Sequence, residues 1–310
     1  MAKKGLRKIL RNNRRRWLVQ VFFKSLTPPV IWLLLSKAKS RLIKNVRQAH
    51  LKNKNVSEEK IFEEEKRNED IRINALSRYK ETETIFLGHK LKIVDNASFQ
   101  FMKKELFESE VYKFNCKSDQ PYIIDCGANI GLSIIYFKQL FPNAEIVGFE
   151  PDEKVFESLQ FNIKSFEFSK VTLIKKACWD EETTLKFYSE GADGGRAAIK
   201  SDIENIMEVK TIRLREFLKR KVDFLKVDIE GAEIKVLKDC SDLLLNVEKI
   251  FVEYHSFIGM EQYLPEILTI LKKAGFRLHI SAPGLSSKSP FIRLPLYESM
   301  DNQLNISGSR

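Results

Sequence analysis

Cysteine is scarce in this chain of 310 residues, and its spacing excludes two common uses. The four cysteines, Cys116, Cys126, Cys178 and Cys240, include no C-x-x-C pair, which argues against a structural zinc site. Four scattered thiols also make a poor disulfide framework for a chain of this length. We therefore interpret them as reduced thiols in a cytoplasmic protein.

Acidic side chains are absent from residues 1–56, which hold 16 Lys and Arg. Because the whole chain carries a net charge of +11, the excess positive charge belongs to this segment and not to the body. Basic charge alone is a weak sign of nucleic-acid binding, and no recognisable motif accompanies it. We expect no nucleic-acid partner.

The chain has no uninterrupted apolar run of membrane-spanning length. Residues 17–35 come nearest, but Lys24 and the pair Pro28-Pro29 break the run, and a span needs about 20 mostly apolar residues. Both flanks are basic, which keeps both on the cytoplasmic side. We interpret residues 1–56 as a surface anchor for an anionic membrane, so that the protein lies peripherally on its inner face. A core helix packed on the body and a targeting segment stay open as alternatives.

Residues 57–115 read as a lead-in to the main domain. The mixed-charge stretch 57–80 favours a solvated helix or a linker. The run "TIFLGHKLKIVD" predicts a hairpin that turns at Gly88-His89, and "SFQFMKKELFESEVYKF" has the apolar spacing of a helix that caps the main domain. The main domain is then expected over residues 116–310.

From Pro121 onward, apolar strands and helices alternate, which predicts an α/β fold with a mainly parallel, Rossmann-like sheet. The last two runs, "FRLHIS" and "FIRLPLY", have no helix between them, so one of them is predicted as an antiparallel edge strand. Such sheets bind ligands beyond the carboxyl ends of their strands. The chemistry is therefore expected just after five residues: Ile124, Phe149, Ala177, Val227 and Tyr254.

The stretch "DCGANIG" (125–131) follows the first of these strands and has the form of a cofactor loop. Asn129 stands where a dinucleotide loop has its middle glycine, which disfavours close approach of a pyrophosphate. Asp125 suits a ligand with an ammonium group, and the helix that begins after Gly131 suits a carboxylate. S-adenosylmethionine carries both groups. Glu150, 25 residues after Asp125, is placed to accept the hydroxyls of a ribose.

Four motifs together resemble the FkbM family of S-adenosylmethionine-dependent methyltransferases: "IIDCGANIGLS", "GFEPD", "VDFLKVDIEGAEIKVLKD" and "FVEYHS". The resemblance runs from about residue 93 to 296 and excludes residues 1–56. It implies a class I methyltransferase sheet and methyl transfer, generally to oxygen, on natural products or glycans. The expected acceptor is a hydroxyl on a glycan, a lipid-linked saccharide or a natural product. The predicted cofactor-binding residues are Asp125, Gly127, Ala128, Asn129, Gly131, Glu150, Pro151, Ala177 and Asp228.

The predicted catalytic residues follow two neighbouring strands. Asp228 and Glu230 come after "DFLKV", although acids there also cap helices. His255 lies in the E-x-H of the resemblance and is the best-placed of four histidines to act as a base, although a histidine at a strand end is often only hydrogen-bonded. Lys226 either orients a carboxylate or is a solvated edge residue.

We expect no metal ion, since carboxylates alone at this spacing do not specify one. Metal assistance through Asp228 and Glu230 is the minor version of the mechanism. The loop "GADGGR" (191–196) either closes over the ligands or is a simple turn. Two other functions stay open: a nicotinamide-dependent Rossmann oxidoreductase, and a non-catalytic membrane-associated module of a glycan-assembly complex.

Overall fold

The computed structural model describes residues 58–189, 191–192, 194–197, 205–283, 289–292, 296 and 299–310. The predictions for residues 1–56 lie outside these ranges. Within the described ranges, no helix has both the length and the apolar character that crossing a membrane requires. The four cysteines are free thiols, as predicted.

By internal contacts, the chain divides into two units, residues 1–70 and 71–310. The described part of the first unit is the start of helix α1 (Glu58–Asn74), a mixed-charge helix as its composition predicts. The second unit contains the sheets and the candidate site.

The predicted hairpin is present. Strands β1 (Thr82–Phe86) and β2 (His89–Ile93) pair antiparallel, and the turn is at Leu87-Gly88, one residue earlier than predicted. Both turn residues have positive φ, at 51° and 85°, as a two-residue hairpin turn requires. Helix α2 (Asn96–Lys103) follows and continues into a π-helical turn over Lys104–Glu108.

The strands that follow are β3 (Tyr122–Cys126), β4 (Glu145–Phe149), β5 (Val171–Ile174), β6 (Ala177–Trp179), β7 (Thr184–Tyr188), β8 (Arg196–Ala197), β9 (Ile206–Arg213), β10 (Phe224–Val227), β11 (Lys249–Phe257), β12 (Arg277–Ser281) and β13 (Met300–Ser309). The accompanying helices are α3 (Leu132–Leu140), α4 (Glu153–Ser165), α5 (Glu233–Asp239) and α6 (Leu264–Lys273).

In the described chain, the central sheet has seven strands in the order β12-β13-β11-β10-β3-β4-β5. The five strands β3, β4, β5, β10 and β11 pair parallel, which confirms the α/β, mainly parallel fold class. Every residue of β3 and β10 is buried, because helices cover both faces of a parallel sheet. The chain runs from β3 in one direction and resumes at β10 in the other, so strand order reverses between these two strands.

Successive residues of β3 face opposite sides of the sheet, and each side has its own core. Ile123 belongs to one cluster of buried apolar residues, together with Phe137 of α3. Ile124 belongs to the other, together with Leu237 of α5. The period of two along the strand therefore anchors helices on both faces and fixes the sheet between them.

The predicted antiparallel edge strand is present: the run "FRLHIS" contains β12, which lies at the edge of the sheet and pairs antiparallel with its neighbour. That neighbour is β13, which pairs antiparallel with both β11 and β12 and was not predicted as a strand. The run "FIRLPLY" falls mostly outside the described residues, and Phe291 and Ile292 lie in a turn. Strand β13, "MDNQLNISGS", is largely polar, so neither an apolar run nor apolar alternation marks it. Hydrogen bonding along both of its edges holds it in the sheet.

A second sheet has the order β6-β9-β7-β8. Its antiparallel pair β7 and β8 lies within the stretch "TLKFYSEGADGGRAAI". The apolar run "VTLIKKAC" is divided between the two sheets as β5 and β6. The stretch "LREFLKR" contains a 3-10 turn over Leu214–Phe217. This second sheet continues from the carboxyl end of β5 and contributes one wall of the site.

Candidate active site

A cavity opens at the carboxyl ends of β3, β4 and β10 and encloses about 1240 Å³, its open mouth included. It lies at the reversal of strand order, where parallel sheets bind their ligands. The predicted site residues that line it are Gly127, Ala128, Asn129, Glu150, Pro151, Ala177, Asp228 and Glu230. Three others lie behind its walls: Asp125, Gly131 and His255.

The glycine loop after β3 is fixed by close packing. Gly127 has φ of 88°, and a Cβ there would come within 1.9 Å of the Asp228 carbonyl oxygen. Gly131 has φ of 91° and begins α3, where a Cβ would come within 2.7 Å of Leu159. Both positions therefore require glycine, because the backbone has a positive φ there and leaves no room for a Cβ. Gly131 also serves the turn and the helix packing, and its predicted contact with the cofactor stays a prediction.

Glu150 forms the opposite side of the loop at the end of β4. Its two carboxyl oxygens accept hydrogen bonds from the backbone N–H groups of Asn129 (3.1 Å) and Asp152 (2.9 Å). Burial, aided by the nearby charge of Asp152, raises the pKa of Glu150 to about 8, although the two backbone hydrogen bonds and Lys226 oppose this shift. Each oxygen keeps a lone pair that can accept from a hydroxyl group.

Asn129 joins the glycine loop to the loop "GADGGR". Its backbone has φ of 47°, a conformation that asparagine tolerates better than most residues. Its side-chain amide donates to the carbonyl oxygen of Ala192 at 3.0 Å, and its side-chain oxygen accepts from the Ile130 N–H at 2.7 Å. Ala192 and Gly195 line the cavity. Within its described residues, the "GADGGR" loop is therefore a wall of the site, held there by Asn129.

Asp125 and Lys226 form a buried ion pair behind the loop. The Lys226 ammonium lies 3.2 Å from Asp125 Oδ1 and 3.0 Å from Asp228 Oδ2, and it donates to the Gly127 carbonyl at 2.7 Å. Asp125 also accepts from the Ser133 hydroxyl. Lys226 therefore orients two carboxylates and is not a solvated edge residue. Contact of Asp125 with a ligand ammonium group stays a prediction, since both of its oxygens face protein groups here.

The pKa of Lys226 reflects this surrounding. Burial alone would lower it, but the charges of Asp125 and Asp228 raise the pKa of Lys226 well above its ordinary value. The ammonium form is therefore present throughout the physiological pH range. The Lys226 ammonium thus pairs with a carboxylate at the end of β3 and with another that follows β10.

His255 lies in a group of four carboxyl side chains. Its Nδ1 is 3.0 Å from Glu233 Oε1, while its Nε2 is 3.6 Å from Glu230, 3.8 Å from Glu253 and 4.0 Å from Asp228. Burial would lower the pKa of His255, but Glu230, Glu233 and Glu253 raise it well above its ordinary value. The side chain is only 1% exposed. An imidazolium ion cannot accept a proton, so in this state the ring orients its neighbours; its action as a base stays a prediction.

Asp228 and Glu230 differ from His255 because they line the cavity directly. The Asp228 side chain is 24% exposed and the Glu230 side chain 17%. Burial and the negative charges of Asp228, Glu253 and Glu233 raise the pKa of Glu230 well above its ordinary value, despite the opposing charge of His255. Asp228 is therefore the more accessible carboxylate of the two.

Sequence reasoning did not assign four residues that complete the site. Glu233 accepts from the backbone N–H groups of Ile229 (3.3 Å) and Gly231 (3.0 Å) as well as from His255. Glu253 accepts from the side chain of Gln303, and both line the cavity. Glu105, from the π-helical turn, also lines it. Glu253 could have been predicted, because residues two apart on a strand lie on the same face and His255 is two residues further on. Gln303 could not, because it lies on β13, the polar strand that has no apolar pattern.

Comparisons with known proteins identify a family and several relatives of this chain. Residues 125–278 match the family described as the methyltransferase FkbM domain. Methyltransferase sdnD of Sordaria araneosa is 28% identical over 218 residues, which cover 57% of this chain and 82% of that protein. The 2-O-methyltransferase NoeI of Sinorhizobium fredii is 25% identical over 166 residues, 47% of this chain and 68% of that protein.

Among solved structures, the crystal structure of methyltransferase FkbM from Methylobacillus flagellatus is similar, with 17% identity and a TM-score of 0.43. The similarity covers 66% of this chain and 47% of that one. The family match begins at Asp125, the first residue of the cofactor loop, and ends within β12. Through this domain, the chain belongs to the FkbM family of methyltransferases.

Proposed function

We propose that this protein transfers a methyl group from S-adenosylmethionine to a hydroxyl oxygen of a glycan, a lipid-linked saccharide or a hydroxylated natural product. One observation carries the proposal: a ribose-type acceptor, Glu150, and a cavity-lining carboxylate, Asp228, lie on the walls of one cavity. The first suits a nucleoside cofactor and the second suits the proton of an acceptor hydroxyl.

The residues around Glu150 fit the cofactor. The backbone N–H groups of Asn129 and Asp152 fix the Glu150 carboxyl group and leave a lone pair on each oxygen for the two hydroxyls of a ribose. Helix α3 has no side-chain cap at Gly131, so its first N–H groups favour a carboxylate. Apolar and aromatic side chains form the adjoining wall, among them Phe149, Cys178, Leu185 and Phe187.

S-adenosylmethionine supplies a methyl group that its sulfonium already activates. The protein therefore has two tasks, to align an acceptor oxygen and to remove its proton. Lys226 holds Asp228 Oδ2 at 3.0 Å, which leaves Oδ1 to accept that proton. His255, oriented by Glu233, lies 4.0 Å from Oδ1, within reach of a charge interaction but not of a hydrogen bond. Asp228 is the proposed base, and His255 is the proposed positioning residue.

The other wall supports a hydroxyl-rich acceptor. Glu105, Glu230, Glu253 and Gln303 line the cavity, and all of them offer oxygen atoms that accept hydrogen bonds from hydroxyl groups. One relative, NoeI, is named as a 2-O-methyltransferase. These two observations favour oxygen over nitrogen as the methylated atom and a saccharide over an apolar acceptor.

The test is transfer of labelled methyl from S-adenosylmethionine to a panel of sugars, lipid-linked sugars and hydroxylated natural products. Each acceptor is paired with the same compound in which the hydroxyls are already methylated. We expect label to enter at least one free-hydroxyl acceptor and not its blocked partner. Transfer only to amino groups, or equal labelling of blocked and free acceptors, would contradict the proposal.

A further inference from the structure

Three side chains with metal-binding atoms converge beside the cavity. One donor atom each from Asp228, Glu253 and His255 lies within 4.8 Å of the other two. The separations from His255 Nε2 are 4.0 Å to Asp228 Oδ1 and 3.8 Å to Glu253 Oε1. Ligand atoms bound at about 2.0–2.6 Å to one ion lie roughly 3–5 Å apart, so these three atoms are already at the separation that a shared ion requires.

His255 is oriented in the manner of a metal ligand. Its Nδ1–H donates to Glu233 at 3.0 Å, and the backbone N–H groups of Ile229 and Gly231 hold Glu233 in turn. Histidines that bind metals usually donate their second ring N–H to a carboxylate, which fixes the tautomer. The remaining atom, Nε2, is buried, and within the described part of the chain it has no hydrogen-bond partner. It points at the carboxylates of Asp228 and Glu253.

The charges around Nε2 also call for a cation. Glu230 Oε2 lies 3.6 Å from Nε2, so three carboxylates, from Asp228, Glu230 and Glu253, surround this atom. The nearby ammonium of Lys226 is shared with Asp125. Gln303 donates a hydrogen bond to Glu253 and so holds that carboxylate in place. Because buried carboxylates are retained where they are paired or bind metals, this group suits a divalent ion.

We propose that Asp228, Glu253 and His255 bind a divalent metal ion at the wall of the cavity, with Glu230 as a neighbouring carboxylate. Two carboxylates and one imidazole suit Mn²⁺ and related divalent ions. For its use in catalysis the proposal rests on the proposed function: the ion would bind the acceptor hydroxyl oxygen and lower the pKa of that hydroxyl. Because Asp228 is then a ligand of the ion, the hydroxyl proton would pass to Glu230, the neighbouring carboxylate. This revises the expectation that no metal takes part.

The experiment uses the full chain freed of metal by a chelator, with neither S-adenosylmethionine nor acceptor present. Mn²⁺ is titrated and followed by electron paramagnetic resonance, and spin-echo spectra report nitrogen bound to the ion. We expect one saturable site per chain, competition by Mg²⁺, and a nitrogen coupling that the substitution His255→Gln removes. Asp228→Asn and Glu253→Gln are each expected to raise the dissociation constant more than about tenfold, since each removes a charged ligand.

Two further variants separate metal binding from the general effects of losing a carboxylate. Asp242→Asn removes a solvent-exposed carboxylate that pairs with Arg215 away from the cavity and is expected to leave the Mn²⁺ dissociation constant within about twofold. Glu233→Gln keeps the three ligands but weakens the orientation of His255, so we expect about a 10–100-fold loss of affinity.

Circular dichroism confirms the fold of each variant, and the partly exposed Asp228 gives a variant that does not disturb the core. Absence of saturable Mn²⁺ binding in the wild-type chain overturns the proposal, in which case a protonated His255 balances the carboxylates. The proposal is also overturned if the Asp228→Asn and Glu253→Gln variants bind Mn²⁺ as tightly as the wild-type chain does. A bound ion that shows no nitrogen coupling in the wild-type chain overturns it too. No methyl transfer is measured, so the result is independent of the proposed function.

Discussion

The Lys226 ammonium lies 3.2 Å from the Asp125 carboxylate, and the two side chains are 4% and 0% exposed. This pair ties the end of β10 to the base of the glycine loop. Removing one partner of a buried ion pair leaves the other charge uncompensated, which costs far more than the pair itself contributes.

We therefore expect Lys226→Met to lower the free energy of unfolding by about 3–5 kcal/mol. The measurement is urea denaturation followed by circular dichroism. Lys219→Met is the matched control, because the ion pair of Lys219 with Glu216 is solvent-exposed and its loss should leave the denaturation midpoint unchanged. Equal midpoints for the two variants would show that the buried pair does not hold the loop.

Glu150 gives a prediction about pH. Its pKa of about 8 arises from burial and from Asp152, against the backbone hydrogen bonds and Lys226, so at neutral pH much of the free protein carries a protonated Glu150. Only the carboxylate can accept from both ribose hydroxyls. Affinity for S-adenosylhomocysteine should therefore rise as the pH rises toward 8 and level off above it. Isothermal titration calorimetry between pH 6 and 9 measures this.

Glu150→Gln should bind S-adenosylhomocysteine about 10–100-fold more weakly, the loss expected for hydrogen bonds to a charged group, and should show no such rise with pH.

The stability of the folded protein depends on the pH in the opposite direction to ligand affinity. The folded-state pKa lies above the unfolded value, so the contribution of Glu150 is present at low pH and is lost as the pH rises through about 8. The variant should gain stability relative to wild type over that range; parallel stability curves would contradict the assigned pKa.

Much of the fold could be predicted because its signals are local. Apolar runs such as Tyr122–Cys126 and Phe224–Val227 are buried on both faces, and the glycine loop and Glu150 follow such strands directly. Strand β13 escaped prediction because its place depends on pairing with β11 and β12 and not on an apolar pattern. A single sequence does not display that pairing.

The sequence predicts where the site residues lie but not which side chains pair with one another. The carboxyl ends of β4 and β10 locate Glu150 and Asp228, since topology alone brings those ends together. Which groups pair there depends on distances: Asp125 faces Lys226 and Ser133, and Gln303 reaches Glu253 across the β11–β13 register. Such contacts join residues that are far apart in the chain, so spacing along the sequence does not predict them.

Asp228→Asn tests the proposed base. We expect turnover with any established acceptor to fall about 10²–10⁴-fold, the usual loss for a general base, with a much smaller change in affinity for S-adenosylhomocysteine. The matched control is Asp242→Asn, since Asp242 is solvent-exposed and pairs with Arg215 away from the cavity. Undiminished turnover across pH in Asp228→Asn would move the base to another residue.

The basic segment 1–56 gives a prediction about membranes. Its 16 positive and no negative charges flank an apolar stretch broken by two prolines. Each Lys or Arg near an anionic surface contributes about 1 kcal/mol at best, and inserted apolar side chains add to this. Full-length protein should float with anionic vesicles at low salt and less so at high salt, while a chain that starts at Ser57 should not. Equal flotation of both chains would leave the segment without an anchoring role.

Calorimetric titration of the full chain with S-adenosylhomocysteine and, separately, with NAD tests the central claim most directly. Both ligands carry a ribose that Glu150 can bind, but only NAD carries a pyrophosphate. A pyrophosphate needs a glycine at the middle of the loop, and Asn129 stands at that position here. We predict one S-adenosylhomocysteine bound per chain, weakened by Glu150→Gln, and no heat of binding from NAD. Binding of NAD without binding of S-adenosylhomocysteine would contradict the assignment of this cavity to methyl transfer.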